Sequence, residues 1–128
     1  RLTNPPIDIS KTLLPAISLM VIMYRNRRTG IRRVLQVSEL LKDATPNVIM
    51  QYDMSQDKIL NSNSSTRLLP ELEMQTGLST QEINNDLKDK AEILRWLVKK
   101  NINDINGIGK VVATYYANKE SLMKFVRK

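Results

Sequence analysis

The sequence predicts an α+β fold, strands in front and helices behind, on three observations. Residues 18–41 hold two runs of strand length on either side of a glycine turn. From Ser64 the apolar period changes from that of a strand to that of a helix. "LSTQEI", residues 78–83, is the clearest helix start in the chain. Together they divide the chain into a strand-rich part, 1–63, and a helical lobe, 64–128.

In order, "RLTNPPIDIS" reads as an irregular entry, because two prolines bar a helix. Ser10 can then cap a short helix to about Ala16. "SLMVIMYRN" is apolar and β-branched, "RRTG" supplies a turn at Gly30, and "IRRVLQVSEL" alternates. These residues predict a hairpin with one strand well buried. "DATPN" breaks the chain before two more short strands, "VIMQYDM" and "KILNS", joined around Ser55-Gln56-Asp57.

A helix capped by Ser64 or Ser65 should end at Gly77, with Pro70 tolerated near its start. Ser79 and Glu82 form a capping box, and Leu78 against Ile83 a hydrophobic staple. The helix from Thr80 to Lys100 is expected to bury Ile83, Leu87, Ala91, Leu94 and Val98, with Ile93 and Leu97 widening the stripe. Trp96 lies outside it. Two further helices are predicted at 104–117 and 119–127.

Composition excludes whole classes of chemistry. The 128 residues contain no cysteine and no histidine, so disulfides, thiolate sites, zinc hydrolases and Ser-His-Asp triads are out. The longest apolar run, "AISLMVIMY", is far short of the roughly 20 residues of a membrane-spanning helix. No signal peptide is recognisable, and a chain beginning with Arg is expected to be a piece of a longer protein. The net charge of +7 is concentrated: residues 1–38 carry seven Lys/Arg and one acid, residues 39–128 thirteen against twelve.

Three motifs invite a function. "DINGIGKV" fails as a phosphate loop, because Asp104 stands at the first glycine position and Val111 follows Lys110. Magnesium ligands are missing too, so no catalytic residue, metal site or cofactor site is expected in this stretch. Arg25, Arg27, Arg28, Arg32 and Arg33 straddle the hairpin turn, either as a solvated turn or as a surface that grips an anion or a partner. Trp96 either covers a neighbouring helix or marks a protein interface. Gly107-Ile108-Gly109-Lys110 fits a helix-hairpin-helix phosphate contact or, more simply, a helix-entry turn. The second reading puts Ile105, Ile108 and Val112 in the helical core, with Tyr115 or Tyr116.

The order of these pieces resembles one family. Arg1-Leu2, Pro5-Pro6, Leu13-Leu14-Pro15-Ala16, Arg32-Arg33-Val34 and Val37-Ser38-Glu39 resemble the segment after the histidine box in archaeal secretion ATPases, the motors of archaella and type IV pili. The Ser-led helix, the Leu-Trp helix and "VVATYYANKESL" are similar to that family's C-terminal lobe. Ser18 stands where the family usually has Asp, Lys119 where Pro is common, and "NGIGK" is unusually glycine-rich. The resemblance implies the C-terminal end of a RecA-like α/β motor domain plus its helical appendage. The phosphate loop, the magnesium acids and the histidine box would lie upstream, with ATP and magnesium serving the parent chain. It further implies a cytoplasmic homohexamer, peripheral at the inner face of the membrane beneath a polytopic platform protein. No nucleic acid is expected, and the five arginines and Trp96 would meet a subunit or partner.

Overall fold

The computed structural model describes Ser10 and residues 13–128; the expected irregular entry at 1–9 lies outside them. The fold is α+β, four antiparallel strands and four α-helices. The chain forms two compact units, Arg1–Gly77 and Leu78–Lys128. The division therefore falls after the first helix, whereas the period changes at Ser64.

In the first unit a single 3-10 turn, Leu14–Ala16, stands where a short helix was expected. Pro15 at its start contributes no backbone donor, and Ile17 is already extended. Strands β1 (Leu19–Arg25), β2 (Arg32–Leu40), β3 (Pro46–Asp53) and β4 (Lys58–Asn61) pair in sequence order. Pro46 opens β3, where a missing N–H is tolerated. Only β2 is well covered, and only at Ser38, Glu39 and Leu40. The most apolar strand, β1, is largely uncovered, Val21 being 51% and Met23 63% exposed on one edge of the sheet, and the short β4 on the other edge is exposed throughout.

Helix α1 (Leu68–Thr76) ends at Gly77, whose φ of 71° is the left-handed cap that glycine takes without strain. Its N-terminus corrects the expectation of a local serine cap. The N-cap residue is Arg67, with no capping side chain of its own. Ser65 Oγ does accept from Leu69 N at 3.0 Å, but most of the exposed donors are met by Glu39, reaching across from β2.

In the second unit α2 (Thr80–Lys99) starts on the expected capping box: Glu82 N donates to Ser79 Oγ at 3.2 Å, and Ser79 N to Glu82 Oε2 at 2.8 Å. Helices α3 (Ile105–Ala117) and α4 (Lys119–Val126) share Asn118, which ends one and caps the other. The core is Ile93, Leu97, Tyr115, Leu122 and Met123, with Trp96, Ile102, Val111 and Val126 against it.

This core corrects the expected stripe. Ile83, Ile93 and Leu97 are buried, but Leu87, Leu94 and Val98 are exposed. Helix α2 carries two apolar rows, and α3 and α4 cover the row through Ile93 and Leu97. Trp96 falls beside that covered row. On α3 the correction is similar: Val111 and Tyr115 face inward, whereas Ile105, Ile108, Val112 and Tyr116 are exposed.

Ion pairs hold α4 to α2. Lys119 Nζ lies 2.7 Å from Asp89 Oδ2, and Arg127 Nη2 lies 3.1 Å from Asp89 Oδ1 and from Glu92 Oε2. Tyr115 donates its hydroxyl proton to Asp86. The hydrogen bond to Asp89 holds the Lys119 ammonium well above the usual lysine range.

Candidate interaction surface

The arginine hairpin is built by Asn26. Its carboxamide oxygen accepts from Arg28 N at 2.9 Å and Thr29 N at 3.2 Å, and Gly30 takes a φ of 75° to close the turn. Arg27 and Arg28 are thereby held at the tip. Arg25 and Arg32 are cross-strand partners, so two like charges stand opposite each other. These four side chains are exposed and, among the described residues, form no ion pair.

Arg33 differs from the rest. Its guanidinium grips Asp57 with both oxygens, Nε to Oδ1 at 2.8 Å and Nη2 to Oδ2 at 3.1 Å, and Tyr52 Oη donates to Asp57 Oδ1 at 2.6 Å. The Arg33 hydrogen bonds, then that of Tyr52, hold the Asp57 carboxyl well below the usual carboxylate range. Arg33 is thus a fastener between β2 and the β3–β4 turn. The structure separates it in role from the four free arginines.

Trp96 packs edge-to-face on Phe125, ring centroids 5.7 Å apart, and its contacts are those of helix-to-helix cover. At "NGIGK" the glycines lie inside the first turns of α3, not before them. The Asp104 carboxylate accepts from Gly107 N at 2.8 Å, so a fixed anion occupies the donor that a phosphate would need. A Cβ on Gly107 would stand 2.7 Å from Asp104 Oδ1 and 2.8 Å from Ile102 Cγ2, and that approach explains the glycine. Around Gly109 there is open space. Lys110 is exposed on the same helix.

One arrangement that sequence reasoning left without a role is the junction of Glu39 and Arg67. Glu39 is fully buried and accepts from Asn47 Nδ2, Ser65 Oγ, Thr66 N, Thr66 Oγ1, Arg67 N and Leu68 N. Burial pushes this carboxyl up, but the donors of Leu68, Thr66, Asn47 and Ser65 outweigh it and hold the group far below the usual range. Arg67 in turn donates to Pro15 O at 2.7 Å and to Leu40 O, and pairs with Glu71 at 2.9 Å. The only signal for it was Glu39 in the Val37-Ser38-Glu39 pattern.

Among the described residues no group of three or more Asp or Glu side chains could hold a metal ion, and no helix is long and apolar enough to cross a membrane. The first unit presents a basic hairpin tip beside the exposed strand β1. The profile of the PilB3-like, C-terminal family matches residues 56–128, more than half of the chain, and the chain belongs to that family. PilB is a type IV pilus ATPase, so the resemblance holds at the level of a pilus-assembly ATPase C-terminal family. The chain is also similar to Uncharacterized protein MJ0781 of Methanocaldococcus jannaschii, 25% identical over 135 aligned positions that take in 99% of this chain. It spans about a fifth of that relative's length.

Proposed function

We propose that this chain is the C-terminal part of a hexameric, archaeal-type motor ATPase of pilus or archaellum assembly, supplying subunit contacts and mechanical output. In this reading the four strands complete a RecA-like motor domain, and the helical unit is its appendage. ATP and magnesium bind on the parent chain, which works in the cytoplasm as a homohexamer against a polytopic platform protein at the membrane's inner face.

The observation that carries this reading is the uncovered β1. A sheet needs cover on its apolar face, yet Leu40 is the only fully buried apolar side chain among the described residues of the first unit. Each apolar side chain brought out of water contributes about 1.5–3 kcal/mol, so leaving Leu19, Val21, Ile22 and Met23 half-exposed forgoes a large share of the available stabilisation. Other parts of a motor domain would supply that cover. The free Arg25, Arg27, Arg28 and Arg32 then face a neighbouring subunit, and Trp96 contributes through the helical unit it braces. The nucleic-acid alternative is disfavoured by Asp104, whose charge sits where phosphate would bind.

The test compares Mg-ATP turnover and assembly mass of the full-length protein with those of the 128-residue chain. The reading expects hexamers with ATPase activity from the parent and no Mg-ATP binding by the chain alone. A parent with no ATPase activity, or a chain that binds Mg-ATP at micromolar concentration, contradicts it.

A further inference from the structure

The sequence contains a single Asn–Gly pair, Asn106-Gly107, and the structure places it in the first turn of α3. Asn–Gly is the pair most prone to deamidation, because no side chain on the second residue hinders its nitrogen from attacking the asparagine carboxamide. Asn106 is exposed, and its carboxamide has no hydrogen-bond partner among the described residues. Gly107, by contrast, is fixed by its surroundings: a Cβ would stand 2.7 Å from Asp104 Oδ1 and 2.8 Å from Ile102 Cγ2. The fold therefore obliges a glycine after Asn106, and the labile pair comes with it.

The same geometry holds the pair inert. Asn106 is helical within α3, and Gly107 N donates to Asp104 Oδ2 at 2.8 Å. Deamidation needs the Gly107 nitrogen to lose its proton and to close onto Asn106 Cγ. The Asp104 carboxylate retains that proton, since a neighbouring negative charge disfavours the creation of another. Helical backbone angles at Asn106 hold the nitrogen away from Cγ. Little else secures this turn: Ile105 is 89% exposed, so almost no apolar burial resists its opening.

We propose that Asn106-Gly107 is a latent deamidation site, kept inert by the Asp104 cap and released when the first turn of α3 opens. In the open state Gly107 N gives its proton to solvent and bonds to Asn106 Cγ, while the Cγ–Nδ2 bond breaks and its nitrogen leaves as ammonia. Water then opens the cyclic imide at either carbonyl, to aspartate or to isoaspartate. Isoaspartate carries the main chain through Cγ, which lengthens the first turn by one methylene and sets a new carboxylate near Asp104. The cap does not re-form on that backbone. The change is one-way, and it marks chains in which α3 has opened.

The test incubates the 128-residue chain and a synthetic peptide of residues 101–112 side by side in mildly alkaline buffer. Peptide mapping with isoaspartate-specific fragmentation follows Asn106 in each. The chain should convert at least about tenfold more slowly than the peptide, because conversion waits on local opening. Asp104→Ala should speed conversion of the chain about fivefold through the lost cap. Gly109→Ala, whose added methyl meets open space, should slow it about two- to fivefold by favouring the helix. Circular dichroism verifies that each variant keeps its helices; if Asp104→Ala loses them, Gly109→Ala decides. Conversion of the chain at the peptide's rate overturns the proposal, as does an Asn106 that stays intact in the peptide. So does an unchanged rate in either variant that keeps its helices.

Discussion

Leu68 N donates to Glu39 Oε2 at 2.8 Å, so the first turn of α1 is capped by a strand residue far back in the sequence. A carboxylate at a helix N-terminus meets both the unpaired N–H groups and the positive end of the helix dipole. Here it also joins the sheet to α1. Few apolar side chains are buried in this unit, and the junction ties β2, Asn47 of β3 and the start of α1 through one carboxylate.

Glu39→Ala should therefore cost the first unit more than about 2 kcal/mol, since several part-buried donors lose their acceptor at once. Glu39→Gln should cost less than the alanine change but keep none of the charge. The pH dependence follows from the depressed carboxyl: protonation favours the unfolded state, so Glu39's contribution is full above the ordinary carboxylate value and declines as pH falls below it. Thermal melts at neutral and acid pH check this. Wild type should lose more stability on acidification than Glu39→Gln does; equal losses would remove Glu39 from the account.

The two glycines of α3 should respond in opposite directions. Gly109→Ala enters open space in a helix and should stabilise the second unit by about 0.5–1 kcal/mol. Gly107→Ala drives a Cβ into Asp104 and Ile102, disturbs the cap, and should destabilise it. Denaturant melts of the two variants decide the matter. Stabilisation by both substitutions would mean the contact at Gly107 is unimportant.

How much of this was legible in the sequence depends on the range of each interaction. The Ser79–Glu82 box and the Gly77 stop were legible because each is complete within a few residues. The Glu39 cap was not, because its donors and acceptor meet only through the fold. The α2 stripe was misread for another reason. Leu87, Leu94 and Val98 form as good a row as Ile93 and Leu97, and periodicity cannot say which row a three-helix unit covers. The arginine cluster was visible, but its division into four free side chains and one paired to Asp57 depended on the β3–β4 turn.

The "NGIGK" turn should not clamp DNA. Any binding of duplex DNA by the chain should be weak, should fall steeply with salt, and should be unchanged by Lys110→Glu. It should disappear instead with Arg27→Glu and Arg28→Glu, a basic surface attracting a polyanion. A fluorescence titration at low and moderate salt separates the outcomes. Binding tighter than micromolar at moderate salt, lost on Lys110→Glu, would restore the phosphate-clamp reading.

The central claim is that the free arginines of the hairpin meet a neighbouring subunit in a motor ring. Its most direct test is native mass spectrometry of the full-length protein, wild type against Arg27→Glu with Arg28→Glu, with Mg-ATP turnover measured on the same samples. Arg33 is left in place because it fastens Asp57. Hexamers are expected for wild type, smaller species for the double variant, and turnover reduced by about tenfold or more, as reversal of interfacial charge typically costs. A double variant that remains hexameric and hydrolyses ATP at the wild-type rate would contradict it.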